Sequence, residues 1–158
     1  MSLLEDLSFR EKSAVASLVA VLIVYGGYFA DLLGGEAERT LSAMLYTSIG
    51  VVISLIVIQV VFHILLAMFG ADDAEAPADE RDRLIDARAA RIAYSVLSVG
   101  AVIILGRILF RGAMDEASAV AEVTLFEVAN LLLFFLVLAE ICQYGARVYF
   151  YRRGIVSA

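Results

Sequence analysis

The chain has 158 residues, of which 62% are hydrophobic and 19% are charged, and its mean hydropathy is +0.89. This composition lies outside the usual range of soluble globular domains and leaves no length for a separate soluble catalytic domain. The formal net charge of −6 argues against nucleic acid as a partner, since binding to phosphates needs a basic surface. The sequence therefore predicts one membrane domain over residues 1–158.

Four apolar stretches are each longer than the ~20 residues that a helix needs to cross a bilayer. They are expected to be helices, because a backbone inside hydrocarbon must satisfy its polar groups internally. Short connections make sequential helices antiparallel, so the predicted fold class is all-α, an integral membrane four-helix bundle with up-down topology. Glycines at positions 34, 35 and 70 would end the first two helices. The predicted helices span residues 13–33, 41–69, 78–110 and 123–150.

Between the second and third helices lies a charged segment, residues 70–91. Its second part predicts a helix that continues into the membrane, because Asp79, Glu80 and Asp82 oppose the positive end of a helix dipole. The arginines of this segment would either contact anionic lipid headgroups or anchor a solvated extension of the third helix. The candidate headgroup contacts are Arg81, Arg83, Arg88 and Arg91.

Basic residues are distributed unequally between the two ends of the predicted helices. Cytoplasmic loops carry more arginine and lysine than translocated loops do. Nine of the twelve basic residues lie on the side that holds both termini and the segment 70–91. We therefore expect both termini and this segment to be cytoplasmic, in a cell (inner) membrane, with residues 34–40 and 111–122 outside.

The charged segment also carries a distinctive pattern: Asp79-Glu80-Arg81-Asp82, then Ile85, Arg88-Ala89 and Arg91-Ile92-Ala93-Tyr94. Together with the multi-helix layout, this pattern resembles an uncharacterised family of small prokaryotic multi-pass membrane proteins with an Asp-Glu-Arg-acid run leading into a membrane helix. The resemblance covers mainly the second half of the chain. It implies no transferable activity, but it implies that the charged segment is a docking surface for a cytoplasmic partner.

Polar side chains inside the apolar stretches are few, and an ionisable group in hydrocarbon is costly unless it is paired or hydrated. Gln59 and His63 stand four residues apart on one face of the second helix, and Glu140 and Gln143 stand three apart on the fourth. At ~1.5 Å per residue, His63 and Glu140 lie at similar depths, roughly 10 to 15 Å inside the predicted cytoplasmic ends, so they could meet. The predicted intramembrane polar site comprises Gln59, His63, Tyr94, Glu140, Gln143 and Arg147.

This intramembrane site has two interpretations. In the functional one, Glu140 carries or relays a proton, His63 tunes it, and the two glutamines orient water or substrate. In the structural one, the cluster is hydrogen-bonded and fixes the helix register, with Arg147 neutralising Glu140.

At the opposite end of the predicted bundle, further polar residues lie close to the ends of the apolar stretches. Arg107 is expected to pair with Glu122 or Glu127, and Asn130 could join them. Arg107 is near enough to the end of its helix to reach the membrane surface, which favours a structural pair over an outer gate.

Metal and haem binding lack ligands in this sequence. His63 is the single histidine, so a haem held by two histidines would need a second protomer. Glu140 and Cys142 project from different faces of one helix, which argues against a zinc site. We therefore predict no metal and no cofactor, and the absence of a catalytic motif argues against an enzyme.

Two classes of function fit these features. The favoured one is a non-enzymatic interaction or regulatory protein that uses the charged segment 70–91, because the intramembrane polar cluster is small and not continuous across the bilayer. The alternative is a small proton-coupled transporter or channel that uses the His, Glu and Gln cluster, and it would be oligomeric because four helices leave little room for a pathway. The expected partners are the lipid bilayer, anionic headgroups, and either a second copy of the chain or a cytoplasmic protein.

Overall fold

The computed structural model describes residues 8–35, 40–69, 79–114 and 121–153. Within these ranges the chain forms four α-helices and no strand: α1 (Phe9–Gly34), α2 (Leu41–Phe69), α3 (Glu80–Met114) and α4 (Ala121–Arg153). All four are long and apolar enough to cross a membrane, by length and composition. The prediction of an all-α protein with four helices that can span a membrane is confirmed. Residues 70–78 of the charged segment and the side chain of Glu122 lie outside the described part.

Helix α1 begins at Phe9, earlier than the predicted residue 13, because Ser8 caps it. The Ser8 hydroxyl accepts a hydrogen bond from the N–H of Glu11 at 3.2 Å, so a backbone donor of the first turn is satisfied. The helix ends at the predicted glycines. Gly35 has a left-handed φ of 78°, and its N–H donates to the carbonyl of Asp31.

Helix α3 starts through a reciprocal cap formed by two aspartates. The Asp82 N–H donates to Oδ1 of Asp79 at 2.6 Å, and the Asp79 N–H donates to Oδ2 of Asp82 at 3.2 Å. This is a capping box with aspartate in the place of the usual glutamate. The helix then runs unbroken to Met114, so the described part of the charged segment is continuous with an apolar helix, as predicted.

Helix α4 contacts each of the other three helices, and its most extensive contact is with α3. Helix α2 packs mainly on α1 and touches α4. Among the described residues, α3 makes no close backbone approach to α1 or α2. The helices therefore follow the spatial order α2, α1, α4, α3, with α2 and α3 on the flanks.

Side-chain contacts at both ends give the relative directions of α1 and α4. Glu11, near the start of α1, contacts Arg152, near the end of α4. Tyr28, near the end of α1, contacts Asn130, in the first half of α4. These two helices are therefore antiparallel.

A buried apolar cluster lies between α1 and α4. Val21 is fully buried there, and Tyr25 and Val137 are nearly so. Phe29 and Phe134 pack edge to face, with ring centroids 5.8 Å apart. This largely apolar layer separates the polar side chains at one end of the structure from those at the other.

Large apolar side chains cover much of the outer surface of α2 and α3. In the apolar 18-residue stretch of each helix, only 6% of the residues of α2 and 11% of those of α3 are buried, against 33% in α1. Isolated soluble proteins rarely expose apolar patches of this extent. The exposed apolar helices are consistent with contact with a lipid bilayer.

Candidate functional site

Polar side chains concentrate at one end of the structure, where α1 and α3 begin and α2 and α4 end. They surround a cavity of about 290 Å³, here called the polar cavity, to which all four helices contribute. It reaches from Phe9 to Ser17 along α1, which is roughly 12 Å at 1.5 Å per residue. The lining residues are Phe9, Arg10, Ser13, Ala14, Ser17, Gln59, His63, Asp86, Tyr144, Arg147 and Tyr151.

Asp82 joins three helices beside this cavity. Its carboxylate lies 3.1 Å from Nε of Arg10 on α1 and accepts a hydrogen bond of 2.9 Å from the hydroxyl of Tyr151 on α4. The Asp82 side chain is only 15% exposed, so solvent screens these interactions less than those of a surface pair. Glu11 and Arg152 form a second link, with Oε1 of Glu11 at 3.0 Å from Nε of Arg152.

We call this group of linked residues the charged end; it comprises Arg10, Glu11, Arg81, Asp82, Asp86, Arg147, Tyr151 and Arg152. Sequence analysis did not find most of these partners. One feature of the sequence could have indicated them. Opposite charges lie within a few turns of those helix ends that were predicted to lie on the same side of the membrane. That signal identifies candidates, but it does not identify which charge meets which.

Arg147 lies in the polar cavity, as part of the predicted site, but its partner differs from the expected one. Its Nε is 3.0 Å from Oδ1 of Asp86 on α3, an ion pair by distance in which the N–H is not directed for a hydrogen bond. Its guanidinium lies 5.7 Å from the ring centroid of Tyr144. The expectation that Arg147 neutralises Glu140 was wrong: the two are about two helical turns apart on α4, whereas Asp86 faces Arg147 directly.

His63 links α2 to α1. Its Nδ1 donates to the backbone carbonyl of Gln59 at 2.7 Å, since a carbonyl can only accept, and its Nε2 is hydrogen-bonded to the Ser13 hydroxyl at 3.0 Å. Both ring nitrogens therefore have hydrogen-bond partners. In the described structure His63 forms no bond to Glu140, because Ser13 on the intervening helix α1 takes the Nε2 position.

The remaining members of the predicted intramembrane site are separated from the polar cavity. Glu140 is half-buried and does not line it, and its Oε2 is buried without a hydrogen-bond partner among the described residues. Gln143 is half-buried on the next turn. Tyr94 was wrongly included: its side chain is 72% exposed, because α3 packs on α4 through the face that carries Ala89, and Tyr94 lies about 140° around the helix from it.

The four arginines predicted to contact headgroups occupy different environments. Arg81 donates from Nη2 to the carbonyl of Tyr151 at 3.2 Å and so belongs to the charged end. Arg88 is half-buried and has a partner. Arg83 and Arg91 are exposed on the outer side of α3.

At the other end of the structure, the predicted pair of Arg107 with Glu127 is present, with Nη2 and Oε2 3.2 Å apart. Arg111 also contacts Glu127, at 3.0 Å. Asn130 does not join this group. It is buried, accepts a 2.6 Å hydrogen bond from the hydroxyl of Tyr28, and donates to the carbonyl of Phe126 at 2.9 Å.

Neither composition nor comparison assigns an activity to these features. Among the described residues, no group of three or more histidine, cysteine or acidic side chains is placed to hold a metal ion. No protein-family model, curated protein or solved structure matches the chain. The functional argument therefore rests on the polar cavity and the charged end.

Proposed function

We propose that the protein is a non-enzymatic interaction or regulatory protein of the cell (inner) membrane, in which the charged segment 70–91, held in place by the charged end, docks a cytoplasmic protein partner. The observation that carries this proposal is that polar groups from all four helices converge at one end. All four helices contribute polar side chains to the cavity at one end, while the layer of Val21, Val137, Phe29 and Phe134 separates it from the polar residues of the other end. A protein that conducts ions within one protomer would need a more continuous polar path.

The charged end is held by ion pairs, and the exposed side of α3 beside it carries two accessible arginines. Asp82 and Glu11 hold α1, α3 and α4 together, so the helices present a fixed surface. Arg83 and Arg91 project from α3, eight residues or roughly 12 Å apart along the helix axis. A surface with exposed arginines at this spacing would complement an acidic partner. The up-down topology with both termini cytoplasmic and the resemblance to a family with a charged docking segment complete this proposal.

Photo-cross-linking in intact cells tests the docking surface. A photoreactive amino acid would replace Ala87, which is exposed between the two outer arginines, and the matched control would replace Val102, which is 70% exposed in the apolar part of α3. We expect a discrete protein adduct from position 87 and lipid adducts alone from position 102. The double change Arg83→Glu with Arg91→Glu should remove the protein adduct, because it reverses the charge that the partner recognises.

Two results would contradict this proposal. One is that position 87 yields only lipid adducts, which would assign the arginines to headgroup contact. The other is a protein adduct whose yield is unchanged by both charge reversals, since a partner held in that way does not use the arginines.

A second candidate function, a small oligomeric proton-coupled transporter or channel, is favoured by one observation. Oε2 of Glu140 is buried without a hydrogen-bond partner among the described residues, and such carboxyl groups in membrane helices often carry protons. The test is proton flux into liposomes under an imposed membrane potential. Glu140→Gln should abolish flux, whereas the control Glu127→Gln, at the other end of α4, should not. Flux that survives Glu140→Gln would remove Glu140 from the mechanism.

A further inference from the structure

The polar cavity contains one ion pair that retains capacity to bind a ligand. The Arg147 and Asp86 side chains are 28% and 46% exposed, and they come from different helices. A guanidinium has five N–H donors, and among the described residues none of those of Arg147 makes an aligned hydrogen bond. The pair therefore leaves both a cationic donor group and an anionic acceptor group turned towards an accessible space.

The other walls of the cavity add polar groups that suit a small ligand. Ser17 contributes a hydroxyl, Gln59 an amide and Tyr144 a phenol, and the Tyr144 ring also supports the Arg147 guanidinium. A volume of about 290 Å³ lies at the lower limit of the roughly 300–1,000 Å³ typical of small-molecule sites. The cavity can therefore hold a compact polar group and not an extended molecule.

The charges of the pair define the chemistry of that group. A purely anionic ligand at Arg147 would be repelled by Asp86, and a purely cationic ligand at Asp86 would be repelled by Arg147. A ligand that carries both charges satisfies both residues. An oxyanion accepts two parallel N–H bonds from a guanidinium, and a primary ammonium donates to a carboxylate.

We propose that the polar cavity binds a zwitterionic group in which a primary ammonium lies close to an oxyanion, with Arg147 holding the oxyanion and Asp86 holding the ammonium. Two sources share this chemistry: the headgroup of phosphatidylethanolamine and a small soluble zwitterion. The proposal concerns the interior of the charged end. It holds whether or not the outer arginines dock a protein partner.

Lipid retention by the purified full-length protein tests this site. The detergent-solubilised protein would be incubated with phosphatidylethanolamine, phosphatidylcholine or phosphatidylglycerol of identical acyl chains, and bound lipid would be counted by native mass spectrometry. We expect phosphatidylethanolamine to be retained at least about tenfold better than the other two, on the order of one charge-assisted hydrogen bond. Phosphatidylcholine lacks ammonium N–H donors, and phosphatidylglycerol lacks the cation.

A second experiment with a soluble ligand distinguishes a lipid headgroup from a small soluble zwitterion. Free phosphoethanolamine should displace retained phosphatidylethanolamine if the lipid headgroup occupies the cavity. If instead phosphoethanolamine raises the thermal unfolding midpoint while no lipid is selected, the natural ligand is a soluble zwitterion. Equal retention of all three lipids together with no effect of phosphoethanolamine would overturn the proposal. This test uses only the wild-type protein, so it does not depend on the folding of any variant.

Two variants of cavity residues and one control variant test whether Arg147 and Asp86 bind the ligand. Arg147→Gln and Asp86→Asn should each reduce selective binding by about tenfold, because each removes one of the two charge-assisted contacts. The matched control, Arg107→Gln, removes an arginine from an ion pair at the other end of the structure and should leave binding unchanged. Selective binding that survives both cavity changes would place the ligand elsewhere.

Discussion

Asn130 shows how one buried amide connects helices in this protein. Its Oδ1 accepts from the Tyr28 hydroxyl of α1 at 2.6 Å, and its Nδ2 donates to the carbonyl of Phe126 and lies 3.4 Å from the sulfur of Met44 on α2. An amide in apolar surroundings is costly without partners, so each of these contacts has a stabilising role. The bond between Tyr28 and Asn130 is a polar link of α1 to α4 at this end.

A double-mutant cycle on Tyr28 and Asn130 would measure this link. We expect Asn130→Ala to reduce the free energy of unfolding by about 1–2 kcal/mol and Tyr28→Phe by about 1 kcal/mol, with a coupling on the order of 1 kcal/mol between them. The measurement is reversible unfolding in mixed detergent micelles. Fully additive effects would show that the 2.6 Å contact contributes nothing to stability.

At the charged end, Asp82 connects helices as Asn130 does at the other end. It caps α3, pairs with Arg10 and accepts from Tyr151, so Asp82→Asn would weaken three contacts at once. We expect a loss of about 1–3 kcal/mol in the free energy of unfolding. Glu80→Gln is the matched control, because Glu80 is an exposed acid in the same turn and should change stability by less than about 0.5 kcal/mol. Similar losses in both variants would show that Asp82 acts only through the net charge of this turn.

At the scale of the helices, α4 is the only close backbone neighbour of α3 among the described residues. The buried side chains of α3 include Ile85, Ala89 and Ile104, and Gly100 lies directly against Phe135 of α4. A Cβ atom at Gly100 would lie 2.6 Å from the Cβ of Phe135 and would clash with its ring. Small residues at such crossings permit the close packing that joins helices in lipid, where no hydrophobic force drives them together.

Gly100→Ala should therefore weaken the α3–α4 contact, with an expected cost of about 1–3 kcal/mol from overpacking. Gly106→Ala on the same helix is the matched control, since a Cβ there meets nothing within 4 Å. That substitution should leave stability unchanged or raise it by up to about 1 kcal/mol through helix propensity. Unfolding midpoints in detergent compare the two variants, and equal midpoints would contradict the close approach.

At the scale of the whole molecule, the charged end must face the cytoplasm if it docks a cytoplasmic partner. In a Cys142→Ala background, Thr40→Cys and Arg153→Cys place single cysteines at opposite ends of the structure. We expect an impermeant maleimide to label the Thr40→Cys variant on intact cells and the Arg153→Cys variant only after permeabilisation, because most arginines lie with Arg153. The reverse pattern would place the charged end outside and contradict the proposed partner.

The fold was more predictable than the contacts. The predicted bounds of α2, residues 41–69, are those observed, and the glycine end of α1 and the pair of Arg107 with Glu127 are present. The prediction that His63 and Glu140 could meet was wrong, since Ser13 of α1 occupies Nε2 of His63. Depth along a helix does not fix the direction in which a side chain points.

The sequence by itself determined that the described residues form four helices long enough to cross a membrane, and that their charges gather near the helix ends. These properties depend on the free energy of transferring each residue into hydrocarbon. That free energy can be summed along the chain without knowledge of the fold. Only the tertiary structure decided that Arg147 faces Asp86 and that Tyr94 is exposed. Helices that are apolar on nearly all sides have no strongly preferred inner face. Close packing at Gly100 and a few polar contacts therefore fix how the helices are rotated and which of them are neighbours.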